Sequence, residues 1–235
     1  MIKNVSNATV FLNQYKIMED LAKVMFTNSE PSSVIFNLSN HPNFRHFKSE
    51  IDYCREVRNL LTHKPLINSK YAIEPSDEMI HILNSIIDKL EDPPKALMYA
   101  TPLSRLLTAK LDDFVLPLIK KMKIQNFTHV PILKDGFVIG VFSESTVFDY
   151  LADHTKMEIP HDQKVNDYLS YMDLNNHRNE TFVFVPRGIL TGEAEALFND
   201  GKINKRVEML FVTENGKFNE KLIAIISPWD LMDKT

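Results

Sequence analysis

The sequence predicts an α+β fold, in which an N-terminal α-helical bundle is followed by a region of alternating strands and helices. Roughly the first ninety residues place apolar side chains at helical spacing. After Pro94, short apolar runs of strand type alternate with helical segments. This second region also contains an internal repeat, whose copies lie about eighty residues apart. We therefore expect two domains, at residues 1–92 and 95–235.

The first helices of the bundle are bounded by turn-forming residues. Apolar residues at helical spacing predict a helix over 7–27. The segment 28–33, which contains Pro31, is expected to end it. A second helix is expected to begin near Ser33 and to pause at 41–43.

The remaining helices of the bundle have clearer end signals. A long helix is expected to end near His63, because Pro65 disfavours helical dihedrals in the residue before it. Either Ser76 or Asp77 is the expected N-cap of the next helix, which has a strong helical period. Pro93 is expected to end that helix.

The repeat in the second region consists of two apolar strands, a glycine turn between them and a helix with a serine cap. The turns are marked by Asp135-Gly136 in the first copy and by Gly216 in the second, and both are hairpin signals. Ser143 and Ser227 are the expected caps. The strands are expected at 127–133, 137–143, 206–212 and 222–227, and the preceding helices near 113–124 and 191–199.

Two motifs in the repeated region carry a family resemblance. The run from His129 to Ser143 contains His-Val-Pro-Ile-Leu, Asp-Gly and Val-Ile-Gly-Val-Phe-Ser, and residues 227–231 form a Ser-x-x-Asp-Leu ending. With these motifs the region resembles a tandem pair of CBS domains. The resemblance implies two βαββα copies, at about 95–155 and 160–235. It also implies a regulatory module that binds an adenosine nucleotide (AMP, ADP or ATP) in a cleft between the copies.

The CBS resemblance implies ligand-binding roles for individual residues. The serine after the second strand would meet a phosphate, and an aspartate three residues later would bind the ribose hydroxyls. A capped helix N-terminus attracts anions, and a carboxylate accepts two hydrogen bonds from a diol. The second copy has both residues, Ser227 and Asp230, whereas the first has Ser143 but carries Thr146 in place of the aspartate. We therefore expect one competent site at most, and the alternative is that Ser227 and Asp230 form only a capping pair.

Three aromatic residues are expected in the core or in an interface rather than beside an adenine ring: Tyr171, Phe182 and Trp229.

The helix that ends near His63 carries a cation where its pattern calls for an apolar residue. At about 100° per residue, Arg58 falls between Ile51 and Phe47 in the apolar stripe. Asn59 and His63 are spaced i, i+4 and share a neighbouring face. The segment from Phe44 to His63 resembles the signature helix of the HEPN family, whose motif is an arginine, a polar residue and then a histidine.

The HEPN resemblance implies metal-independent cleavage of RNA by a homodimer. Arg58 would bind the scissile phosphate, His63 would act as general base or acid, and Asn59 would orient one or the other. Arg58 and His63 lie about 140° apart around one helix, so a partner chain is expected to complete the geometry. The alternative is a non-enzymatic bundle that serves dimerisation or partner binding, with Arg58 at its edge and His63 as a C-terminal cap.

The composition is ordinary for a soluble globular protein, with 44% hydrophobic and 25% charged residues. The net charge of -4 gives no bulk attraction to nucleic acid, so RNA binding would need a local basic patch. The candidate members of that patch are Arg45, His46, Lys48, Arg55, Arg58, His63 and Lys64.

The remaining expectations concern cysteine, metal and location. The single cysteine, Cys54, is expected to be a buried thiol. Because the sequence has only this one cysteine, an internal disulfide and a cysteine-based metal site are excluded. The histidines show no helix-spaced pair with a carboxylate partner, so no metal site is expected. No apolar run reaches the length of a signal peptide or a transmembrane segment, which predicts a cytoplasmic location without membrane contact.

Overall fold

The computed structural model describes residues 5–27, 29–63, 71, 73–155, 158–175, 177, 179–200 and 205–232. The chain divides into two compact units, Met1–Pro94 and Lys95–Thr235. Helices make up the described part of the first unit, and strands alternate with helices in the second. The α+β class predicted from the sequence is therefore confirmed.

The first unit is a bundle of α-helices with short 3-10 segments between them. Its described helices are α1 (Asn7–Met25), α2 (Val34–Asn40), α3 (Lys48–His63) and α4 (Asp77–Glu91). The Ser76 hydroxyl accepts a hydrogen bond from the backbone N–H of Met79, so Ser76 rather than Asp77 is the N-cap of α4. Pro65, which was expected to end α3, lies outside the described residues.

The segment before α3 corrects the apolar stripe that was predicted for this helix. Pro42–Phe47 forms a 3-10 helix, in which the Nδ1 atom of His41 accepts from the backbone N–H of Asn43. A 3-10 turn has about three residues, so Phe47 does not continue the row of side chains on α3. Phe47 therefore falls outside α3, whereas the predicted position of Arg58 next to Ile51 on this helix is unaffected. The buried residues of α3 are Ile51, Cys54, Val57 and Leu61.

Arg58 falls between the buried Ile51 and Cys54 around α3, and its side chain is about one-third exposed (33%). Cys54 belongs to the buried row, as predicted. Burial, with the Glu50 carboxylate as a second cause, raises the pKa of its thiol to about 11. This thiol is thus a core side chain of the bundle, together with Phe11, Phe44 and Leu83.

The second unit contains the expected strands and helices. Its described strands are β1 (Thr101–Pro102), β2 (His129–Lys134), β3 (Phe137–Ser143), β4 (Glu180–Pro186), β5 (Arg206–Thr213) and β6 (Ala224–Ile226). Its described helices are α5 (Val115–Gln125), α6 (Glu144–Asp153), α7 (Thr191–Phe198) and α8 (Pro228–Leu231). Asp135 and Gly136, at φ 53° and 88°, form the turn of the β2–β3 hairpin.

The two copies of the repeat have the same pairing pattern. In the second copy β4 runs parallel to β5, and β5 is antiparallel to β6. In the first copy β2 and β3 are antiparallel, and the parallel neighbour of β2 is reduced to a single bridge between Ala109 and Ile132.

The copies interleave at their ends. The order β1-β6-β5-β4 places β1, which comes before the first hairpin in the sequence, beside the last strand of the second copy. Ala96 likewise packs in the core of the second copy, whereas Val165 and Tyr168 pack in the core of the first. A third cluster joins β3 to β4 and β5 and includes Val141, Phe182 and Phe211. This cluster fixes the start of β4 against the end of β3, where the candidate site lies.

In the part of the chain that is described, no helix has the length and apolar character needed to span a bilayer.

Candidate ligand sites and the α3 motif

Ser227 and Asp230 meet at the start of α8, in the second copy of the repeat. The backbone N–H and the hydroxyl of Ser227 both donate to Oδ2 of Asp230, each at 2.7 Å. Both residues are half-buried. The structure thus brings together the two residues predicted for the second copy, and it does so as a capping pair.

Trp229 lies between these two residues in the sequence and is 77% exposed. It does not belong to the core of the unit, whereas Phe182 does. Trp229 is thus an exposed aromatic side chain that directly precedes a half-buried aspartate in the sequence.

The first copy has a corresponding cap at the start of α6. Ser143 accepts from the backbone N–H of Thr146 at 3.3 Å, and the Thr146 hydroxyl accepts from the backbone N–H of Ser143 at 3.0 Å. Thr146 therefore performs the capping role that Asp230 performs in the second copy. Both side chains are fully or almost fully buried, and Ser143 is among the residues that line a cavity of about 520 Å³, together with Phe142 and Glu144.

A carboxylate from β4 lies against this cap. Glu180 Oε2 accepts from the hydroxyl of Ser145 at 3.1 Å and from that of Ser143 at 3.4 Å. On its other side Oε2 is 2.9 Å from Nδ1 of His177, and Oε1 is 3.4 Å from Nε2 of His129. We call these five residues the Glu180 cluster: His129, Ser143, Ser145, His177 and Glu180.

The Glu180 cluster holds its carboxylate in the ionised form. Burial acts to raise the pKa of Glu180, but the two neighbouring imidazoles and the hydroxyl of Ser145 outweigh it and hold this pKa well below its ordinary value. The side chain is 18% exposed, whereas that of His177 is only 1% exposed. Phe182 packs edge-on against both imidazole rings, with centroid distances of 4.9 Å to His177 and 5.8 Å to His129.

Sequence analysis did not identify Glu180 or His177 as candidates for a site. The available signal was a histidine and a glutamate spaced i, i+3 directly before an apolar strand. The hydroxyl partners of Glu180 lie 35 and 37 residues earlier in the chain, so spacing alone does not indicate the contact.

Part of the Glu180 cluster borders a cavity. Glu180 lines a cavity of about 530 Å³, whose wall includes Phe182, Phe184 and Lys205. The ammonium group of Lys205 donates to the backbone carbonyl of His177. The remaining lining residues are Leu174, Asn175, Thr181 and Phe218.

In the first unit, Arg58 is held by the bundle itself. Its guanidinium lies 3.9 Å from the carboxylate of Glu19 and 5.9 Å from the ring centroid of Tyr15, both on α1. It also donates to the side-chain oxygen of Asn59 at 3.2 Å. These contacts account for a cation beside the buried row of α3, because its charge is offset and its stem is covered.

The other residues of the predicted motif lie at the surface. Asn59 and His63 are both exposed, and Asn59 contacts Arg58 directly. The predicted basic patch is partly neutralised, because Lys48 and Arg55 each lie 3.6 Å from the carboxylate of Asp52. Lys64, the last member of that patch, lies outside the described residues.

Among the described residues, no group of three or more histidine, cysteine, aspartate or glutamate side chains is arranged to hold a metal ion.

No protein-family model matches the chain, and no curated protein matches it. Solved structures of CBS-domain proteins are similar to it. The crystal structure of CBSX2 in complex with AMP is 18% identical, with a TM-score of 0.42 over 60% of this chain and 95% of that chain. The CBS domain of a bacterial CNNM/CorC family Mg²⁺ transporter in complex with ATP is 16% identical, with a TM-score of 0.43 over 63% and 90%. A putative signal-transduction protein with CBS domains from Burkholderia ambifaria is 23% identical, with a TM-score of 0.39 over 59% and 89%.

Proposed function

We propose that the second unit is an adenine-nucleotide-binding regulatory module of the CBS type. The observation that carries the proposal is the pairing of Ser227 with Asp230 at the end of the second hairpin. Within the described residues, both hydrogen bonds to the Asp230 carboxylate go to Oδ2, which leaves Oδ1 to accept from a ligand. The repeated strand order around the two hairpins supports the same proposal.

The proposed ligand is AMP, ADP or ATP. Asp230 accepts hydrogen bonds from the ribose hydroxyls, and the hydroxyl of Ser227 turns away from Asp230 to donate to a phosphate oxygen. Trp229, exposed between them, provides a ring face for the adenine.

Calorimetric titration of the full chain with AMP, ADP and ATP tests the proposal. Asp230→Asn keeps the side-chain shape and an acceptor for the cap but removes the charge. We expect it to weaken nucleotide binding at least about tenfold, because hydrogen bonds to a charged acceptor are the strong ones. Thr146→Val, which disrupts the cap of the first copy, is the matched control and leaves binding unchanged. Absence of binding in the wild type, or equal binding by Asp230→Asn, contradicts the proposal.

A second candidate function belongs to the first unit, which we propose to be a metal-independent endoribonuclease that acts as a homodimer under control of the nucleotide module. The observation that favours it is the arrangement on α3, where Arg58 is anchored while Asn59 and His63 remain exposed. In this mechanism His63 acts as the general base or acid, and Arg58 binds the scissile phosphate of the RNA. The guanidinium of Arg58 must then leave the carboxylate of Glu19 in order to contact the phosphate.

RNA cleavage assays test the second candidate with two opposite variants. His63→Ala abolishes cleavage, whereas Glu19→Gln increases it, because the arginine no longer has a competing carboxylate. Lys23→Ala is the control, since Lys23 pairs with Asp20 on α1 and does not belong to the predicted basic patch. Equal cleavage by wild type and His63→Ala assigns the activity to a contaminant and rules out this mechanism.

The alternative for the first unit is a non-enzymatic bundle that dimerises or binds a partner. Exposed apolar residues support this alternative. Tyr53 and Leu60 lie seven residues apart on α3, and Ile17 and Val24 lie seven residues apart on α1. Sedimentation of the wild type and of Leu60→Glu tests this alternative. A dimer that Leu60→Glu converts to a monomer, with no RNA cleavage in either protein, supports it over the ribonuclease.

A further inference from the structure

The start of α6 combines several groups that favour an anion. The N-terminus of this ten-residue helix carries a partial positive charge. The hydroxyls of Ser143 and Ser145 and the imidazoles of His129 and His177 converge beside it. Hydroxyl and imidazole N–H groups are donors that bind carboxylates and phosphates. Neither the Ser227–Asp230 pair nor the α3 motif involves this place.

The anion found there is a side chain of the protein itself. Glu180 enters from the start of β4, 35 residues after Ser145. At its Oε1 atom, the hydroxyl of Ser145 lies at 3.2 Å and Nε2 of His129 at 3.4 Å. At its Oε2 atom, the hydroxyl of Ser143 lies at 3.4 Å and Nδ1 of His177 at 2.9 Å. Because both oxygens already have partners, an external anion would have to displace this carboxylate.

The surroundings of the carboxylate oppose such a displacement. The side chain of Glu180 is 18% exposed, so a second anion beside it would be repelled with little screening by water. Phe182 packs edge-on against the rings of His129 and His177, which restricts the movement of both imidazoles. The anion position at the start of α6 is therefore closed in the folded chain.

The contact also joins the two copies of the repeat. The cap of α8 in the second copy contains its own carboxylate, Asp230, whereas the cap of α6 in the first copy contains Thr146. The negative charge that Asp230 places at the start of α8 is placed at the start of α6 by Glu180. Glu180 belongs to β4, so the second copy supplies the charge that the first copy lacks.

We infer that Glu180 is a built-in anion, which fills the anion position at the start of α6 and fastens the two copies together there. The first copy is thus closed to external anions without a bound ligand. In the second copy, by contrast, both hydrogen bonds to Asp230 within the described residues go to Oδ2. The inference goes beyond the proposed function and does not depend on nucleotide binding at Asp230.

Chemical rescue of Glu180→Ala by acetate tests the inference. The substitution removes a CH2–COO⁻ fragment, which acetate matches in size and charge, and the adjoining cavity gives acetate access. We expect the thermal midpoint of the second unit to fall in Glu180→Ala and to rise again by roughly 2–6 °C, saturably, as acetate binds. Acetamide, which has nearly the same shape but no charge, and sodium chloride at equal ionic strength leave it unchanged. Glu214→Ala, at an exposed glutamate of the same unit, is the matched control, and acetate affects it no more than the wild type.

The possible outcomes all decide the inference. A Glu180→Ala midpoint that responds equally to acetate and acetamide, or to neither, overturns it. If Glu180→Ala folds only in acetate, the folded fraction in acetate against acetamide replaces the midpoint and supports the inference. If it folds in neither, Glu180→Gln decides, because the amide fills the position without the charge: a midpoint below that of the wild type supports the inference, and an equal midpoint overturns it. Failure of nucleotide binding at Asp230 removes the proposed function and changes none of these outcomes.

Discussion

At the scale of single residues, charged side chains of this protein are placed by specific neighbours. The charge of Arg58 is offset by Glu19 and its side chain is covered by Tyr15, so a cation beside a buried row has a structural explanation that does not depend on the proposed catalytic role. Glu180 is held by two imidazoles and two hydroxyls. Most of these partners come from a different helix or strand, so the sequence pattern did not identify them, although His177 lies only three residues before Glu180.

The Glu180 cluster predicts a pH dependence of stability. In an unfolded chain a glutamate has a pKa of about 4.3. The pKa of Glu180 in the folded protein is lower, so the stabilisation from its ionised form is fully present above about pH 5 and is lost as the pH falls. We expect Glu180→Gln to lower the free energy of unfolding by roughly 1–3 kcal/mol at neutral pH. The difference from wild type should shrink between about pH 5 and pH 3.

Urea unfolding at a series of pH values measures this effect. Glu214→Gln is the control, because that carboxylate is 59% exposed and pairs only at the surface with Arg187. If the free energies of unfolding of the wild type and of Glu180→Gln differ by the same amount at every pH, the ionised carboxylate contributes nothing to stability.

At the scale of secondary-structure elements, caps and turns decide where helices and hairpins begin and end. Ser76 caps α4, Ser143 and Thr146 cap α6, and Asp135-Gly136 turns the first hairpin. These signals are local, so the sequence predicted the Ser143 cap and the Asp135-Gly136 turn and narrowed the cap of α4 to Ser76 or Asp77. The 3-10 segment Pro42–Phe47 was not predicted, because apolar residues there suit either type of helix and only the His41 cap and Pro42 favour the tighter one.

The N-cap of α4 gives a direct test of this local stabilisation. Ser76→Ala removes the acceptor for the backbone N–H of Met79, and we expect a loss of about 1 kcal/mol in the free energy of unfolding of the first unit. Ser85→Ala is the matched control, since its hydroxyl bonds to the carbonyl of His81 within the same helix. Chemical denaturation followed by helical circular dichroism measures both. An equal effect of the two substitutions would argue against Ser76 as the cap.

The second hairpin depends on a glycine for a different reason. Gly216 has φ of +78°, and a Cβ atom there would lie 2.9 Å from the backbone nitrogen of Pro186. Gly216→Ala is therefore expected to destabilise the second unit by at least about 1 kcal/mol. Gly188→Ala is the control, because a Cβ atom there meets no atom within 4 Å. Thermal unfolding of both variants measures the effect, and an unchanged midpoint for Gly216→Ala would contradict it.

At the scale of the whole molecule, the chain consists of a helical unit and a β/α unit, each with its own core. The fold class followed from periodicity and from the repeat. The interleaving of the copies could not be predicted from the sequence, because β1 has only two residues and its partner β6 lies at the other end of the unit's sequence. The Ser227–Asp230 pair was implied by the resemblance to CBS domains, whereas the contacts of Glu180 with Ser143 and Ser145 span 35 or more residues.

The central claim is that the second unit binds an adenine nucleotide through Asp230. A crystal structure of the full chain grown with AMP tests it most directly. We expect the ribose hydroxyls within hydrogen-bond distance of the Asp230 carboxylate and the adenine against Trp229. AMP bound in the cavity beside Glu180, or at any place away from Asp230, would contradict the claim.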